Sequence, residues 1–445
     1  MTGPMTGPGL RVLVNTEDFS PLGGVEHSTL QVSRALAARG HRIDLLHADR
    51  THRAGAADAG LRPEWETFAA GITRVPGFTV AAARPWRTLH HLPPAVRATR
   101  ALQPDVIWLN RSEQLLWGLG AARATDAPLV VHLRHHPYRL GPLGPRRAGR
   151  ALVGALTGRA DRYLAVSAWL AREWVAAGLD PALVEVVPNG IDPARYTPTD
   201  DAGRAAARAR LLPDLAAAPV GSGAGGPEHP VVLHYGRLAA DKGVPQLLEA
   251  WARLAADPVS STRPATLLLV GDPTPEVAPV LAARVAAHAG TPRPVRHLPR
   301  QSDVTALLHA ADLMVLPAVW HEPFGRVVIE AMAAQVPVVA TATGGIPEIL
   351  TGRFADQLVP ATDPDALVPA LAAAIDRRLG WRRSDPALGP AGRAHVEAHF
   401  SLEATTDRVE QALRAAHAGS RTAAPTPGDR ERDRDQEVLA CPTPV

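Results

Sequence analysis

Residues 321–333 read HEPFGRVVIEAMA and carry two glutamates, Glu322 and Glu330, at an interval of eight positions. Pro323 favours an extended residue before it and is tolerated in the first turn of a helix, so Glu322 is predicted to lie where a helix begins. A helix that begins near Gly325 places Glu330 on the order of 8 Å further along its axis. That distance is close to the span from a sugar to a ribose across a diphosphate, so a nucleotide sugar fits the geometry.

The start of this helix is also predicted to bind an anion. The first backbone N–H groups of a helix have no partner within the helix, and they point at whatever lies before it. Here those groups belong to Phe324, Gly325, Arg326 and Val327. We therefore expect these residues to contact a phosphate through their backbone.

On both sides of this stretch, short β-rich runs alternate with helical patterns, which predicts an α/β fold with parallel sheets and crossover helices. The runs in the first half are Leu10–Val14, Arg42–Leu46, Asp105–Leu109, Leu129–Leu133, Arg162–Val166 and Val184–Val187. Those in the second half are Val231–Tyr235, Thr266–Val270, Val295–Leu298, Leu313–Leu316, Val336–Thr341 and Gln357–Val359. We expect two doubly wound units, one in each half.

A Pro and an Asn-Gly turn in the segment Val187–Asp192 predict a hinge between the two units. We expect an N-terminal domain over 9–190 and a C-terminal domain over 191–399. Within the second, residues 199–229 are rich in Ala, Gly and Pro and are predicted to form a partly ordered insertion. The run of mixed charges after residue 419 predicts a disordered tail over 419–445.

Composition bounds the class of protein. The chain has 445 residues, of which 46% are hydrophobic, and its 47 basic against 44 acidic side chains give no basis for a nucleic-acid partner. Cys441 is the only cysteine, which excludes an internal disulfide and a cysteine zinc site and favours a reducing cytoplasm. The first residues lack the pattern of a signal peptide, and no apolar run approaches the ~18 residues of a membrane span.

Two glycine-containing loops are candidates for phosphate binding. Gly23 and Gly24 join the first strand to the first helix, where backbone amides can approach an anion closely, although an ordinary turn has the same sequence pattern. Gly236–Gly243 follows the first strand of the second unit. Its Arg237 can grip a phosphate with two parallel N–H bonds and Lys242 adds a compact charge. The alternative is that Lys242 is a solvated lysine at a helix start and Arg237 part of a surface ion pair.

His132 ends an apolar strand, at the edge where open α/β sheets place their ligands. We expect it to bind or deprotonate a substrate hydroxyl, with a structural role as the alternative. His135 and His136 follow, but no acidic or sulfur ligand accompanies them, so we expect no metal site. The arginines between Arg139 and Arg162 are compatible with a membrane-surface contact, which the Pro and Gly at 141–145 disfavour relative to a solvated face.

Taken together, these residues resemble the retaining nucleotide-sugar glycosyltransferases of family four, from about residue 10 to 417. The resemblance rests on Gly23-Gly24-Val25-Glu26, the strand that ends at His132, Ser167, Val187–Asp192, Gly236-Arg237-Leu238, Lys242-Gly243, the pair Glu322 and Glu330, and Gly344-Gly345-Ile346-Pro347-Glu348. It implies the GT-B fold, in which two Rossmann-like domains face a cleft, and a last helix, here 400–418, that crosses back to the first domain. One departure is Gln335, which stands where a glycine is common.

The resemblance also assigns roles by position. Arg237 and Lys242 would hold the donor diphosphate, Glu330 the ribose and Glu322 the donor sugar. The residues expected to carry catalysis are therefore His132, Glu322, Arg237 and Lys242, and those expected to bind the donor are Gly23, Gly24, Arg237, Lys242, Glu322, Phe324, Gly325, Arg326, Val327 and Glu330. No metal and no other cofactor is implied.

The implied reaction is retaining transfer of a hexosyl group from a UDP- or GDP-linked sugar to an acceptor hydroxyl on a small molecule, a glycan or a lipid-linked substrate. A sugar-nucleotide epimerase or phosphorylase on the same fold, and a non-catalytic sugar-nucleotide-binding subunit, remain alternatives. A glycosidase is disfavoured, because Glu322 and Glu330 are expected to lie further apart than the ~5–5.5 Å of a retaining carboxylate pair.

Overall fold

The computed structural model describes residues 8–17, 19, 24–48, 60–75, 92–137, 158–213, 229–361 and 363–422. Two parallel β-sheets organise them, with seven strands in the first and six in the second. The predicted α/β class with two doubly wound units is confirmed. Residues 423–445 of the predicted tail lie outside the described residues.

The first sheet has the strand order β3-β2-β1-β4-β5-β6-β7, and all of its pairings are parallel. Its strands are β1 Arg11–Thr16, β2 Arg42–Ala48, β3 Gly71–Val75, β4 Val106–Leu109, β5 Leu129–Leu133, β6 Arg162–Ala165 and β7 Val184–Val186. The central strands β4 and β5 are buried along their whole length, as expected for a parallel sheet covered on both faces.

The second sheet has the order β10-β9-β8-β11-β12-β13 and is also parallel. Its strands are β8 Val231–Tyr235, β9 Thr266–Val270, β10 Val295–Leu298, β11 Leu313–Leu316, β12 Val338–Thr341 and β13 Leu358–Val359. In both sheets the strand order reverses beside the first strand, β1 or β8. The carboxyl ends next to these strands are where such sheets bind ligands.

The helices connect the strands and cover the sheets. Those of the first unit are α1 Gly24–Ala38, α2 Arg62–Glu66, α3 Leu92–Leu102, α4 Leu115–Thr125 and α5 Ala168–Ala176. The rest are α6 Asp201–Leu211, α7 Val244–Ala256, α8 Ala278–Ala287, α9 Val304–Ala310, α10 Arg326–Ala333, α11 Pro364–Arg378, α12 Trp381–Ser384, α13 Leu388–His399 and α14 Leu402–Thr422. Among the described helices, none combines the length and the apolar character that a membrane span requires.

The chain passes between the two units twice, and the two passages lie side by side. Ile191 donates its backbone N–H to Phe400 O at 3.0 Å, and its own carbonyl accepts from Leu402 N at 2.8 Å. A Cβ at Gly190 would lie 2.3 Å from Ser401 O, so this close approach requires glycine. The predicted hinge segment is therefore paired with the start of the last helix.

Helix α14 crosses back and packs on α1 of the first unit. Glu410 anchors it: the carboxylate accepts hydrogen bonds from Arg39 at 2.9 Å, from His41 at 3.0 Å and from Arg414 at 2.9 Å. Burial alone would raise the pKa of Glu410, but these bonds outweigh it and lower the pKa to about 2. The carboxylate is therefore charged at neutral pH, and it holds α14 against the residues that follow α1.

The structure adds a helix to one predicted segment and corrects the bound of another. Within the segment predicted as a partly ordered insertion, residues 201–211 form α6, whose first turn is capped by Asp200, and residues 214–228 lie outside the described residues. Its buried face carries Arg204 and Arg208, so apolar periodicity could not reveal it. At the other end, residues 419–422 were expected in the disordered tail, but they continue α14.

Candidate active site

Glu322 lies in the loop between β11 and α10 and forms an ion pair with a residue of the second unit's first loop. Its Oε2 accepts from Lys242 Nζ at 2.6 Å and from Trp320 Nε1 at 3.2 Å. The Lys242 ammonium also lies 4.7 Å from the centre of the Trp320 ring. Because the side chains of Lys242 and Glu322 are only 21% and 16% exposed, this pair is partly shielded from water.

The loop that carries Arg237 and Lys242 is fixed by glycine at two positions. Gly236 and Gly243 have φ values of +128° and +74°, and a Cβ at Gly243 would lie 1.8 Å from Pro317 O. The Asp241 carbonyl accepts from the N–H groups of Val319 and Trp320, which joins this loop to the one before Glu322. The Arg237 guanidinium lies 2.5 Å from the Asp241 carboxylate, and its side chain is 53% exposed.

Gly325 sets the start of α10. It has a φ of +97°, and a Cβ there would approach Ile346 to 3.2 Å, so the turn into the helix requires glycine. Phe324 is buried and packs edge-on against Phe400 at 5.9 Å, which leaves only its backbone for ligand contact. The helix begins at Arg326, one residue later than predicted.

Glu330 is buried and surrounded by hydrogen-bond donors. Its carboxylate accepts from Arg326 Nε at 2.7 Å, from Tyr196 Oη at 3.1 Å and from Tyr235 Oη at 2.8 Å. Burial and the negative charge of Glu330 raise the pKa of Tyr196 to about 12 and raise that of Tyr235 well above its ordinary value, so both hydroxyls stay protonated. Burial acts to lower the pKa of Arg326, but Glu330 outweighs it and the pKa is raised.

Arg326 brings the two units together. Its Nη2 donates to Gln31 Oε1 of α1 at 2.9 Å, and its Cδ lies 3.9 Å from where a Cβ at Gly24 would be. The first turn of α1 therefore faces the first turn of α10. Gly23, the other glycine of the predicted phosphate loop, lies outside the described residues.

His132 is buried at the end of β5, on the first unit's side of this contact. Its Nδ1 accepts from Arg134 Nη2 at 3.2 Å, which leaves the ring proton on Nε2. Burial, and then the charge of Arg134, lower its pKa well below 6.5, so the ring is neutral at neutral pH. Within the described part of the chain, Nε2 has no hydrogen-bond partner.

A buried arginine beside His132 was missed in the sequence. Arg134 donates to Asn110 Oδ1, Ser28 Oγ and Asn189 Oδ1 at 2.9–3.3 Å. Burial lowers its pKa to about 9, whereas Glu26 acts in the opposite direction and Arg326 adds to the decrease. The influence of Arg326 shows that charges of the two units interact across this region.

Other polar residues line the same edge of the first sheet. Arg111 pairs with Glu26 and lies 3.5 Å from Glu17, and Asn15 Oδ1 accepts from the Asn110 N–H at 2.8 Å. Asn15 and Glu17 lie at the end of β1, Asn110 and Arg111 directly follow β4, and Glu26 lies in the first turn of α1. The signal that could have found them is a run of polar residues at the carboxyl ends of adjacent parallel strands.

Residues 22–195 match the sequence family described as Glycosyltransferase Family 4, and residues 229–377 match the one described as Glycosyl transferases group 1. The D-inositol 3-phosphate glycosyltransferase of Geodermatophilus obscurus is 32% identical over 426 residues, which cover 88% of this chain and 85% of that protein. The chain belongs to the family-4 glycosyltransferases. A mannosyltransferase of Corynebacterium glutamicum, named as GDP-mannose-dependent and as acting on a monoacylated phosphatidylinositol monomannoside, is 29% identical over 71% of this chain and 78% of its own length.

Solved structures share the architecture of this glycosyltransferase. HepE of Anabaena, in complex with UDP, superposes with a TM-score of 0.70 at 21% identity, covering 91% of this chain and 100% of that one. Sucrose-phosphate synthase of Thermosynechococcus elongatus gives a TM-score of 0.68 at 22% identity, with coverage of 92% and 100%. The expected GT-B fold is confirmed.

The structure of this glycosyltransferase brings only some of the expected site residues into contact. Lys242 contacts Glu322, and Arg326 contacts Glu330, whereas Arg237 is turned toward Asp241. The described residues contain no group of three or more His, Cys, Asp or Glu side chains that could hold a metal ion. Side chains and the start of a helix supply positive charge at the site.

Proposed function

We propose that this glycosyltransferase moves a hexosyl group from a UDP- or GDP-linked sugar to an acceptor hydroxyl, with retention of anomeric configuration and without a metal. The observation that carries the proposal is the partly buried ion pair between Lys242 and Glu322 at the start of α10. A cation and an anion in contact beside a helix start can separate to bind a diphosphate and a sugar hydroxyl, respectively.

The donor would lie along α10. Its diphosphate would contact Lys242 and the amides of Gly24, Arg326 and Val327, and it would compete with Asp241 for the accessible guanidinium of Arg237. The ribose would reach Glu330. A carboxylate offers about four lone-pair sites, and three donors already occupy three of the sites of Glu330. A single ribose hydroxyl can therefore bind there without displacing a donor.

In the proposed reaction, the acceptor oxygen attacks the anomeric carbon on the face from which the diphosphate departs. The bond from that carbon to the phosphate oxygen breaks, the new glycosidic bond forms, and the acceptor proton passes to the leaving phosphate oxygen. Lys242 and the first amides of α10 stabilise the charge that develops there. The neutral His132, which carries its proton on Nε2, would donate a hydrogen bond to a sugar or acceptor oxygen.

The acceptor would approach from the first unit. The buried amides and ion pairs around Arg134 and Arg111 provide both donors and acceptors, which suits a hydroxyl-rich group. A cyclitol, a glycan and the head group of a lipid-linked acceptor all have this character, and the names of two relatives point to inositol-based acceptors. The cytoplasmic location inferred from the cysteine content stays a prediction.

The test has two steps. Thermal-shift screening against UDP, GDP, ADP and their hexose derivatives names the donor, because a bound nucleotide raises the melting temperature by mass action. The matching donor is then incubated with candidate acceptors, and nucleoside diphosphate release and the anomeric configuration of the product are measured. Release only in the presence of an acceptor, with retention, supports the proposal. Inversion, or isomerisation of the donor without release, contradicts it.

A further inference from the structure

A carboxylate of the second unit caps a helix of the first. Glu348 Oε2 accepts from Ala168 N at 2.7 Å, and Oε1 accepts from Trp169 N at 2.6 Å. Ala168 and Trp169 are the first residues of α5, so both carboxylate oxygens bind the positive end of that helix. Charge-assisted hydrogen bonds of this kind are among the stronger ones in proteins.

Ser167 adds a second link at the same place. Its Oγ accepts from Leu170 N at 3.1 Å, which confirms the predicted helix cap, and it donates to Pro323 O at 2.7 Å. The N-cap of α5 thus contacts the residue that directly follows Glu322. The aromatic ring of Trp169 lies 5.5 Å from that of His321, on the other side of Glu322 in the sequence.

The loop that carries Glu348 also holds the Glu322 backbone. Gly345 N donates to Glu322 O at 2.8 Å. A Cβ at Gly344, which has a φ of +58°, would lie 2.0 Å from Glu322 O, and one at Gly345 would lie 2.5 Å from Pro323 O. The two loops therefore fit together only because these positions lack side chains, and a shift of Glu348 is transmitted to Glu322.

We propose that Glu348 is a positioning residue for glycosyl transfer: by capping α5 it locks the 344–348 loop to the first unit and fixes Glu322 relative to the acceptor side. The inference rests on the proposed role of Glu322 at the donor sugar. The Glu348 carboxylate bonds the start of α5 rather than Lys242, and it acts through the backbone of Glu322. Its effect therefore appears more strongly in turnover than in donor affinity, because Lys242 still holds the diphosphate.

Glu348→Gln is the informative variant, because it keeps the shape of the side chain, removes the charge and turns an NH₂ group toward an N–H donor. We expect kcat for transfer to fall about tenfold, with the KM for the donor changed by a smaller factor. Glu348→Asp, one methylene shorter but still charged, is expected to recover part of the lost kcat. Asp363→Asn is the matched control, since Asp363 caps α11 of the same unit by accepting from Asp365 N at 2.9 Å.

Hydrogen exchange supplies a readout that does not require activity. Glu348→Gln should accelerate exchange at the amides of Ala168 and Trp169 and across 322–328, whereas Asp363→Asn should not. The inference would be overturned if kcat were unchanged in Glu348→Gln, or if kcat fell equally in the Asp363→Asn control. Unchanged hydrogen exchange across 322–328 in Glu348→Gln would also overturn it. If the wild-type protein transfers no sugar, the proposed function fails, and the exchange data alone then decide whether Glu348 holds the Glu322 loop.

Discussion

Replacing Lys242 with methionine tests the charge that we assign to the leaving group. The Lys242 ammonium lies 2.6 Å from Glu322 Oε2, and both side chains are at least three-quarters buried. At an effective dielectric constant of about 20, a pair at ~4 Å attracts with ~4 kcal/mol, most of which is offset by the desolvation of both groups. Removing Lys242 alone leaves the partly buried Glu322 carboxylate without its cation, so we expect the free energy of unfolding to fall by about 3 kcal/mol, the lower end of the cost of breaking a buried pair.

The expected effect on turnover is separate from this loss of stability. In the transition state the departing phosphate oxygen gains charge, and loss of one preorganised donor to such an oxygen costs about 3 kcal/mol, or roughly 10²–10³-fold in kcat. Steady-state release of nucleoside diphosphate, measured at saturating donor and well below the melting temperature, gives kcat directly. The KM for the donor should rise less than kcat falls, because the α10 amides still bind the diphosphate.

Arg353→Met is the matched control for Lys242→Met. It removes a cation from an ion pair of the same unit, with Asp385 at 2.9 Å, in which the side chains are 46% and 37% exposed. This control should change kcat by less than twofold. A kcat in Lys242→Met within about threefold of the wild-type value would refute the assignment of Lys242 to the leaving group.

Three further predictions concern Glu410, which anchors α14, His132 of the first unit, and Gln335, which has a positive φ. Glu410→Gln should cost on the order of 2 kcal/mol of unfolding free energy at neutral pH. The folded pKa of Glu410, about 2, lies below the ordinary 4.5, so this stabilisation is complete above pH 4.5 and is lost as the pH falls toward 2. Urea unfolding curves of the wild-type protein and the variant should therefore converge in acid. His132→Ala should lower kcat by about 10²-fold. The shape of the pH profile of kcat between about pH 6 and 8 should not change, because the folded pKa of His132 lies well below 6.5. An inflection of the wild-type profile near neutrality that is lost in the variant would contradict this. Gln335 has a φ of +61°, so Gln335→Gly should raise the melting temperature by relieving about 1 kcal/mol of backbone strain. A lower melting temperature would show that the side-chain contacts of Gln335 stabilise the protein by more than this strain costs.

The sequence predicted most of the fold because the strands of a parallel sheet are apolar runs bounded by turns. β3 was missed: only Val75 of its five residues is buried, so an edge strand with Thr73 and Arg74 carries a weak apolar signal. The helix α6 was missed for a related reason, since Arg208 on its buried face pairs with Asp312 rather than with apolar neighbours.

The site was only partly predictable. Glu322, Lys242 and the glycines around them follow from local patterns, because loop geometry needs glycine where φ is positive. The surroundings of Glu330 do not, since its tyrosine partners come from 134 and 95 residues away and meet it only in the folded chain. The Glu348 contact is equally non-local, joining residues 180 positions apart.

A crystal structure of the protein with its nucleoside diphosphate, identified by thermal shift, tests the central claim most directly. The account predicts that the distal phosphate lies at the start of α10, with an oxygen about 3 Å from Lys242 Nζ, and that the contact between Lys242 and Glu322 is replaced by that phosphate. A nucleotide bound elsewhere, or one bound in the cleft while Lys242 remains on Glu322 and distant from both phosphates, would contradict it.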